Sequence, residues 1–358
     1  MSSHPHALLA TATHDHKRGE DVRTRLDALT EMPGLWNRAL KRWSRYNERK
    51  KTVVDASPAP TANDEYLLYQ TLVGTWPADW LERAPSEDEL SGYTQRIIEY
   101  VRKAAREAKF RTSWSNPNEA YETAGVNFAE RVLHPTRNAT FHREFVELAR
   151  EVAKVGAISS LSQTALKLTS PGVPDVYQGC ELWDLSLVDP DNRREVDFRA
   201  RVAMLEDFEA RCKRGGLLAL AQELAERWHD GRMKALLTWR LLHLRRNRAQ
   251  TFLEGSYEPL ATSGERAEQL VAFARDDIVV VVPRLVRRLL DRDALGLRVD
   301  FEDERITLRD GAPLRYRDAV TGAIQEATPS NGIAALQARD LFSVLPVAVL
   351  IPEASTPA

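Results

Sequence analysis

Two clusters of ionisable side chains stand directly behind two short apolar runs. His14-Asp15-His16-Lys17-Arg18 follows HALLATAT (residues 6–13), with Glu20, Asp21, Arg23 and Arg25 just beyond. ELWDLSLVDPDNRREVDF (residues 181–198) follows GVPDVYQG (residues 172–179). An apolar run, a polar cluster and a helical pattern make a β/α unit, and the chain contains it twice. In β/α barrels the reacting and binding residues gather on loops that follow the C-terminal ends of strands. Asp15 and the loop at 175–194 occupy such positions. Turn-rich loops of that length commonly carry function.

The elements that must position these clusters are mostly helical. Gly19 to Thr30 reads as a helix with Val22, Leu26 and Leu29 on one face. A second helix follows Pro33-Gly34 and carries Leu35, Trp36, Leu40 and Trp43. Its basic face (Arg38, Lys41, Arg42, Arg45, Arg49, Lys50, Lys51) reads as a solvated surface rather than a nucleic-acid patch. Asn63 or Asp64 is the expected cap of a helix bearing Tyr66, Leu67, Tyr69, Leu72 and Val73. Residues 85–110 predict one long amphipathic helix, acidic at its start and basic at its end, as the helix dipole favours. Two or three further helices are expected over 117–169, and others at about 199–213, 216–228 and 231–247. Beyond Asn247 short strand-like runs alternate with Gly, Pro and Asp turns, which predicts a small all-β domain from about residue 251.

Composition bounds the function. The chain has 358 residues, 43% hydrophobic and 28% charged, enough for a sizeable core and two domains. A formal net charge of -2 gives no electrostatic case for nucleic acid. No run of about 18 apolar residues predicts a membrane span. Met1-Ser-Ser-His-Pro-His lacks a leader pattern, and two scattered cysteines, Cys180 and Cys212, suit a reducing compartment; a cytoplasmic location is the expectation. Cys180 reads as a small loop residue. His4, His6, His14 and His16 lack carboxylates or thiols at ligand spacing, so no metal and no cofactor are expected. Gly-x-Ser-x-Gly, P-loop and Rossmann patterns are absent from the sequence.

Three longer stretches carry a resemblance. THDHKRGEDVRTRL (13–26), SLSQTALKLTSPGVPDVYQGCELWDLSLVDPDNRREVDF (160–198) and GSYEPLATSGERAEQLVAFARDD (255–277) resemble the maltooligosyl trehalose synthases of the α-amylase superfamily (glycoside hydrolase family 13). His14-Asp15 is similar to the superfamily's His-Asp motif after barrel strand seven. Residues 171–181 are similar to its eighth-strand segment, and Asp189-Pro-Asp-Asn-Arg-Arg194 follows as the family has it. The resemblance implies an α/β plus all-β architecture: the C-terminal portion of a (β/α)8 barrel (strands 7 and 8) with a long helical insertion at about 30–155, within residues 1–250. A C-terminal β-sandwich would occupy 251–358. It also implies that an apolar barrel-facing surface is exposed, with poor solubility or self-association of the isolated chain as the expectation.

For activity, the resemblance implies intramolecular transglucosylation, an isomerase reaction of trehalose biosynthesis. The reducing-end α-1,4 linkage of a maltooligosaccharide becomes an α,α-1,1 linkage by the logic of a retaining glycosidase. Asp15 is then the carboxylate that favours the distorted, cation-like transition state, and His14 donates a hydrogen bond beside it. Lys17, Arg18, Glu20 and Asp21 build the wall and cap the helix, or form a structural network. Tyr177 and Trp183 stack on a glucose ring or pack in the core. Asp189, Asn192 and Arg193 bind sugar hydroxyls or form a turn.

The resemblance places the family's nucleophilic Asp and acid Glu upstream of the His-Asp motif. Only fourteen residues precede Asp15, whereas a whole barrel takes ~250 residues. The expectation is a chain lacking strands one to six, the nucleophile and the acid, with a missing N-terminal half as its partner. GLRVDF (296–301) imitates the nucleophile motif but lies after strand eight, so Asp300 is read as a chance match. Two rivals remain: another α-amylase-superfamily glucan hydrolase or transferase, and a non-catalytic fragment that binds glucan or the missing half.

Overall fold

The computed structural model describes residues 4–290, 296–330 and 333–353. The chain divides into two compact units. One comprises Met1–Thr13, Ala157–Asp184 and Glu195–Ala358; the other comprises His14–Gly156 and Leu185–Arg194.

The first unit opens with β1 (Leu8–Ala10), which pairs in parallel with β4 (Val173–Asp175), Leu8 opposite Val173 and Ala10 opposite Asp175. Both strands are shorter than the apolar runs that encode them. The run at 172–179 is extended only to Asp175; the chain then turns, with the Cys180 amide donating to the Tyr177 carbonyl at 3.0 Å. Gly172 adopts φ +130°, and a side chain there would meet the Ala7 carbonyl at 2.8 Å. Leu8 is 75% exposed and Val173 39% exposed.

Helices α7 (Phe198–Lys213), α8 (Leu217–Glu226), α9 (Arg232–Asn247) and α10 (Ala249–Leu253) follow within this unit. Two antiparallel sheets come next. The six-stranded sheet runs in the order β11 (Ile324–Glu326), β10 (Arg315–Asp318), β14 (Ala348–Pro352), β8 (Ile278–Pro283), β7 (Leu270–Arg275) and β5 (Glu258–Pro259). Every residue of β8 is buried, which is why IVVVVP reads as a continuous apolar run rather than an alternation. The four-stranded sheet runs in the order β12 (Thr328–Ser330), β13 (Ile333–Gln337), β9 (Arg305–Thr307) and β6 (Thr262–Ser263). Arg275, 1% exposed, donates to the carbonyls of Thr169 (3.0 Å), Thr251 (2.8 Å) and Ser256 (3.0 Å). Its guanidinium thereby satisfies helix-end carbonyls that the helices leave open.

The second unit is helical: α1 (Glu20–Ala28), α2 (Pro33–Asn47), α3 (Ala62–Thr75), α4 (Glu87–Ala108) and α5 (Glu119–Leu133), with the start of α6 (Ala139–Thr169). A short hairpin, β2 (Thr52–Val54) and β3 (Ser57–Ala59), joins α2 to α3. The core is aromatic. Trp43 is fully buried, with ring centroids of Phe141 and Tyr69 at 5.3 and 5.5 Å; Trp76 lies edge-on to Phe145, Trp80 and Tyr93 at 4.9–5.3 Å. Such edge-to-face pairs add to area burial because ring edges and faces carry opposite partial charge.

Local chemistry sets the helix ends. Ser86 and Glu89 form a reciprocal capping box at the start of α4, so the acidic beginning predicted at 85 becomes a helix from Glu87. For α3 the cap is Thr61, not Asn63 or Asp64: its hydroxyl accepts the Asp64 amide at 3.3 Å. Asp64 lies inside the first turn, where its carboxylate takes the Thr61 hydroxyl at 2.7 Å and the Tyr121 hydroxyl.

Arg25 of α1 is 4% exposed and donates to the Trp76 carbonyl at 2.5 Å; burial pulls its guanidinium down to about 10. Gly156 of α6 allows that burial, since a Cβ there would lie 2.6 Å from Arg25 Cγ and 3.0 Å from its Cα. Because backbone is among the obstructing atoms, relaxation is limited. Gly156→Ala is expected to lower stability by about 1–3 kcal/mol in denaturant unfolding; unchanged stability would disprove the close approach.

Candidate functional site

His14 and Asp15 lie four and five residues beyond the end of β1. The His14 side chain is 58% exposed and Asp15 83% exposed, with Nε2 and Oδ2 3.2 Å apart. The cluster is held from below by backbone. Arg18 bridges Leu187 in antiparallel fashion, and the Gly19 amide donates to the Ser186 carbonyl at 2.7 Å. Asn192 Nδ2 donates to the His14 carbonyl at 2.7 Å. The two loops singled out in the sequence therefore meet, through main-chain bonds and one side-chain amide.

Each side chain has a distinct place. Lys17 Nζ reaches Glu107 Oε2 of α4 at 2.9 Å. That bond holds the Glu107 carboxyl below its ordinary 4.5 and the Lys17 ammonium above its ordinary 10.5. Arg18 keeps Nε and Nη2 buried with no acceptor among the described residues. His16, Lys17, Arg18, Arg23, Leu26 and Asp27 line a pocket of about 230 Å³, and burial raises the Asp27 carboxyl. Glu20 and Asp21, expected in the cleft wall, are only 2% and 3% exposed. They occupy the first turn of α1, where carboxylates complement the positive helix end; Gly19 is the cap and makes no side-chain bond.

The 185–194 loop is pinned by a residue the sequence reading did not single out. Asp191 accepts Arg96 Nε at 2.8 and 3.0 Å and the Leu187 amide at 2.6 Å, with Arg194 Nε at 3.2 Å. Arg96 also donates to the Leu185 carbonyl, and Lys103 to the Asp189 carbonyl. Arg96, Lys103 and Glu107 recur at helical spacing along one face of α4, the pattern that could have flagged them. Asp189 is paired with Arg193 at 3.2 Å, both side chains at least 40% exposed.

Tyr177 and Trp183 belong to the other unit. The Trp183 indole N–H donates to the Trp228 carbonyl at 2.8 Å, and Lys234 Nζ lies 5.8 Å from its ring. Asp300 is exposed on the segment before β9, its carbonyl taking Arg266 Nη1 at 2.9 Å. Cys180 is buried, its thiol 3.5 Å from Asp184 Oδ2. Among the described residues no group of three or more His, Cys, Asp or Glu side chains is placed to hold a metal, and no helix is long and apolar enough to cross a membrane.

No family profile matches the chain. Solved structures do. A maltooligosyltrehalose synthase from Arthrobacter ramosus aligns with a TM-score of 0.74 at 30% identity, over 98% of this chain and 39% of that one. A hypothetical maltooligosyl trehalose synthase from Sulfolobus tokodaii aligns with a TM-score of 0.64 at 29% identity, over 96% and 38%. The fold is thus that of the matching portion of amylase-type enzymes. More particularly, the chain resembles maltooligosyl trehalose synthase: it is 34% identical over 348 residues, 97% of its length, to a putative member from Mycobacterium tuberculosis. It spans 38% of the length of that relative.

Two outcomes follow from the ion pairs. Asp191→Ala leaves Arg96 mostly buried without its carboxylate and is expected to cost about 3 kcal/mol in unfolding experiments. The Glu107 carboxyl, lowered in the folded state, contributes stability above its unfolded value that is lost as pH falls through the folded one. Lys17→Met should therefore raise the Glu107 midpoint seen by carboxyl NMR; an unmoved midpoint would break the assigned contact.

Proposed function

We propose that this chain provides the transition-state-stabilising side of a site for intramolecular transglucosylation, converting the reducing-end α-1,4 linkage of a maltooligosaccharide to α,α-1,1. The observation that carries the reading is the Asn192 bond to the His14 carbonyl, which joins the loop after β1 to the loop after β4. In this reading β1 and β4 are the seventh and eighth strands of a β/α barrel, α2–α5 and the start of α6 form the inserted helical region at about 30–155, and the two antiparallel sheets make a β-sandwich. Similarity to maltooligosyl trehalose synthases across 97% of the chain supports it.

The chemistry sorts by residue. An attacking carboxylate and a proton donor, supplied from outside these 358 residues, act on the penultimate glucose. The carboxylate bonds to its anomeric carbon as the bond to O4 of the terminal glucose breaks, and the donor protonates that O4. The freed glucose, retained in place, attacks the same carbon through its anomeric hydroxyl. The enzyme carboxylate leaves, and the former donor takes the hydroxyl proton. Asp15 stabilises the positive charge that develops at each step, and His14 orients it. Lys17 and Arg18 hold sugar hydroxyls; the buried, unmatched Arg18 donors suit that role. Asp189, Asn192 and Arg193 frame the same rim. A carboxylate as exposed as Asp15 acts weakly in water, so the reading requires that the partner region cover it.

The test combines this chain with an N-terminal segment bearing the nucleophile and acid, and follows reducing ends of maltohexaose. Loss of reducing ends is expected, and Asp15→Asn should slow it about 100-fold or more. A rise in reducing ends would instead identify a hydrolase and defeat the mutase reading.

A further inference from the structure

Within the helical unit, α4, residues 188–191 and Arg194 line a cavity of about 750 Å³ that neither His14 nor Asp15 lines. Its wall includes Trp80, Gly92, Gln95, Glu99, Tyr100 and Trp114. Small-ligand sites have volumes of roughly 300–1,000 Å³.

The rings and polar groups here are arranged for one kind of ligand. Trp114 is 57% exposed, a large apolar surface left in water. It is nevertheless held in place. The Arg106 guanidinium lies 4.8 Å from its ring centroid and is itself fixed by bonds of 2.8 and 2.7 Å to Glu122. Glu122 also accepts the Thr112 hydroxyl at 2.7 Å, and that hydroxyl accepts the Asn118 amide at 2.9 Å. The loop bearing the indole is thus tied down on both sides. Gly92 sits inside a helix, where glycine is unfavourable, yet a Cβ there would meet nothing within 4 Å. No packing constraint calls for glycine; its effect is to keep the wall open. Gln95 donates to Glu99 at 3.0 Å, setting an amide and a carboxylate along the same wall. Fixed flat rings beside amide and carboxylate groups complement a pyranose, whose C–H face is apolar and whose rim is hydroxylated.

We propose that this cleft is a second binding site for a run of α-1,4-linked glucose units, adjoining the first at Asp189, with Trp114 as its stacking platform. The inference rests on the glucan reading above and adds to it a second place where the oligosaccharide is held.

The experiment is calorimetric titration of the full chain with maltoheptaose, with the melting temperature of every variant checked. Trp114→Ala removes the platform, and Gly92→Leu adds bulk to the cavity wall from a position where a Cβ has open space. Each is expected to weaken binding about tenfold. Phe110→Ala removes another exposed ring, 78% accessible and outside the cavity wall, and should leave binding unchanged. If Trp114→Ala and Gly92→Leu bind as the wild type does while Asp15→Asn weakens binding, the second site is overturned and the glucan reading stands. If the wild-type chain binds no maltoheptaose, the glucan reading falls and this inference with it.

Discussion

The contact between Asp191 and Arg96 is the constraint on which the candidate site depends. One carboxylate takes two bonds from α4 and one from the Leu187 amide, which fixes the 185–194 loop against the helix. That loop in turn supplies Ser186, Leu187 and Asn192 to the backbone around His14 and Arg18. Both partners of the pair are mostly buried, with side-chain exposures of 15% and 13%. A pair removed from water this far is sensitive to loss of either member, because the survivor keeps its desolvation cost without its attraction.

The helical unit provides the rigidity this arrangement needs by two different means. Aromatic packing around Trp43 and Trp76 fills the interior. A polar chain then crosses it: Asn138 donates to Asn47, Asn47 to Tyr69, and Tyr69 to Glu65, at 2.7–3.0 Å. With each donor matched to an acceptor, burial of these groups carries little penalty and fixes α2, α3 and α6 in register. Lys51, grouped in the sequence with the basic residues of α2 but lying beyond its end at Asn47, ends the network on Glu65 at 2.9 Å. Part of that basic stretch is therefore structural.

Much of this was legible in the sequence where the determinant is local. Ser86 and Glu89 announce α4, the periodic apolar residues place α7 to α9 within a few positions, and the valine run of β8 marks a buried strand. His14-Asp15 and the 189–194 loop stand out as polar insertions after apolar runs. What the sequence hid depends on partners distant along the chain. Nothing near residue 191 indicates that its carboxylate meets Arg96, 95 positions earlier. The strand at 172–179 ends at Asp175 because its pairing with β1 ends there, a limit set by the neighbour. Thr61 rather than Asn63 caps α3 because only the residue just outside the first turn can reach its third amide. Glu20 and Asp21 read equally as cleft wall or as structural network, and the packing of α1 buries them.

The bond between His14 and Asn192 also bears on how the protein is made. Its two ends lie 178 residues apart. At ribosomal rates of about 5–20 residues per second, His14 waits roughly 10–40 s after synthesis before Asn192 exists to meet it. In that interval the helices between them can fold, since their contacts are short in range. The residues proposed to stabilise the transition state are thus put in place later than the helices that lie between them in the chain.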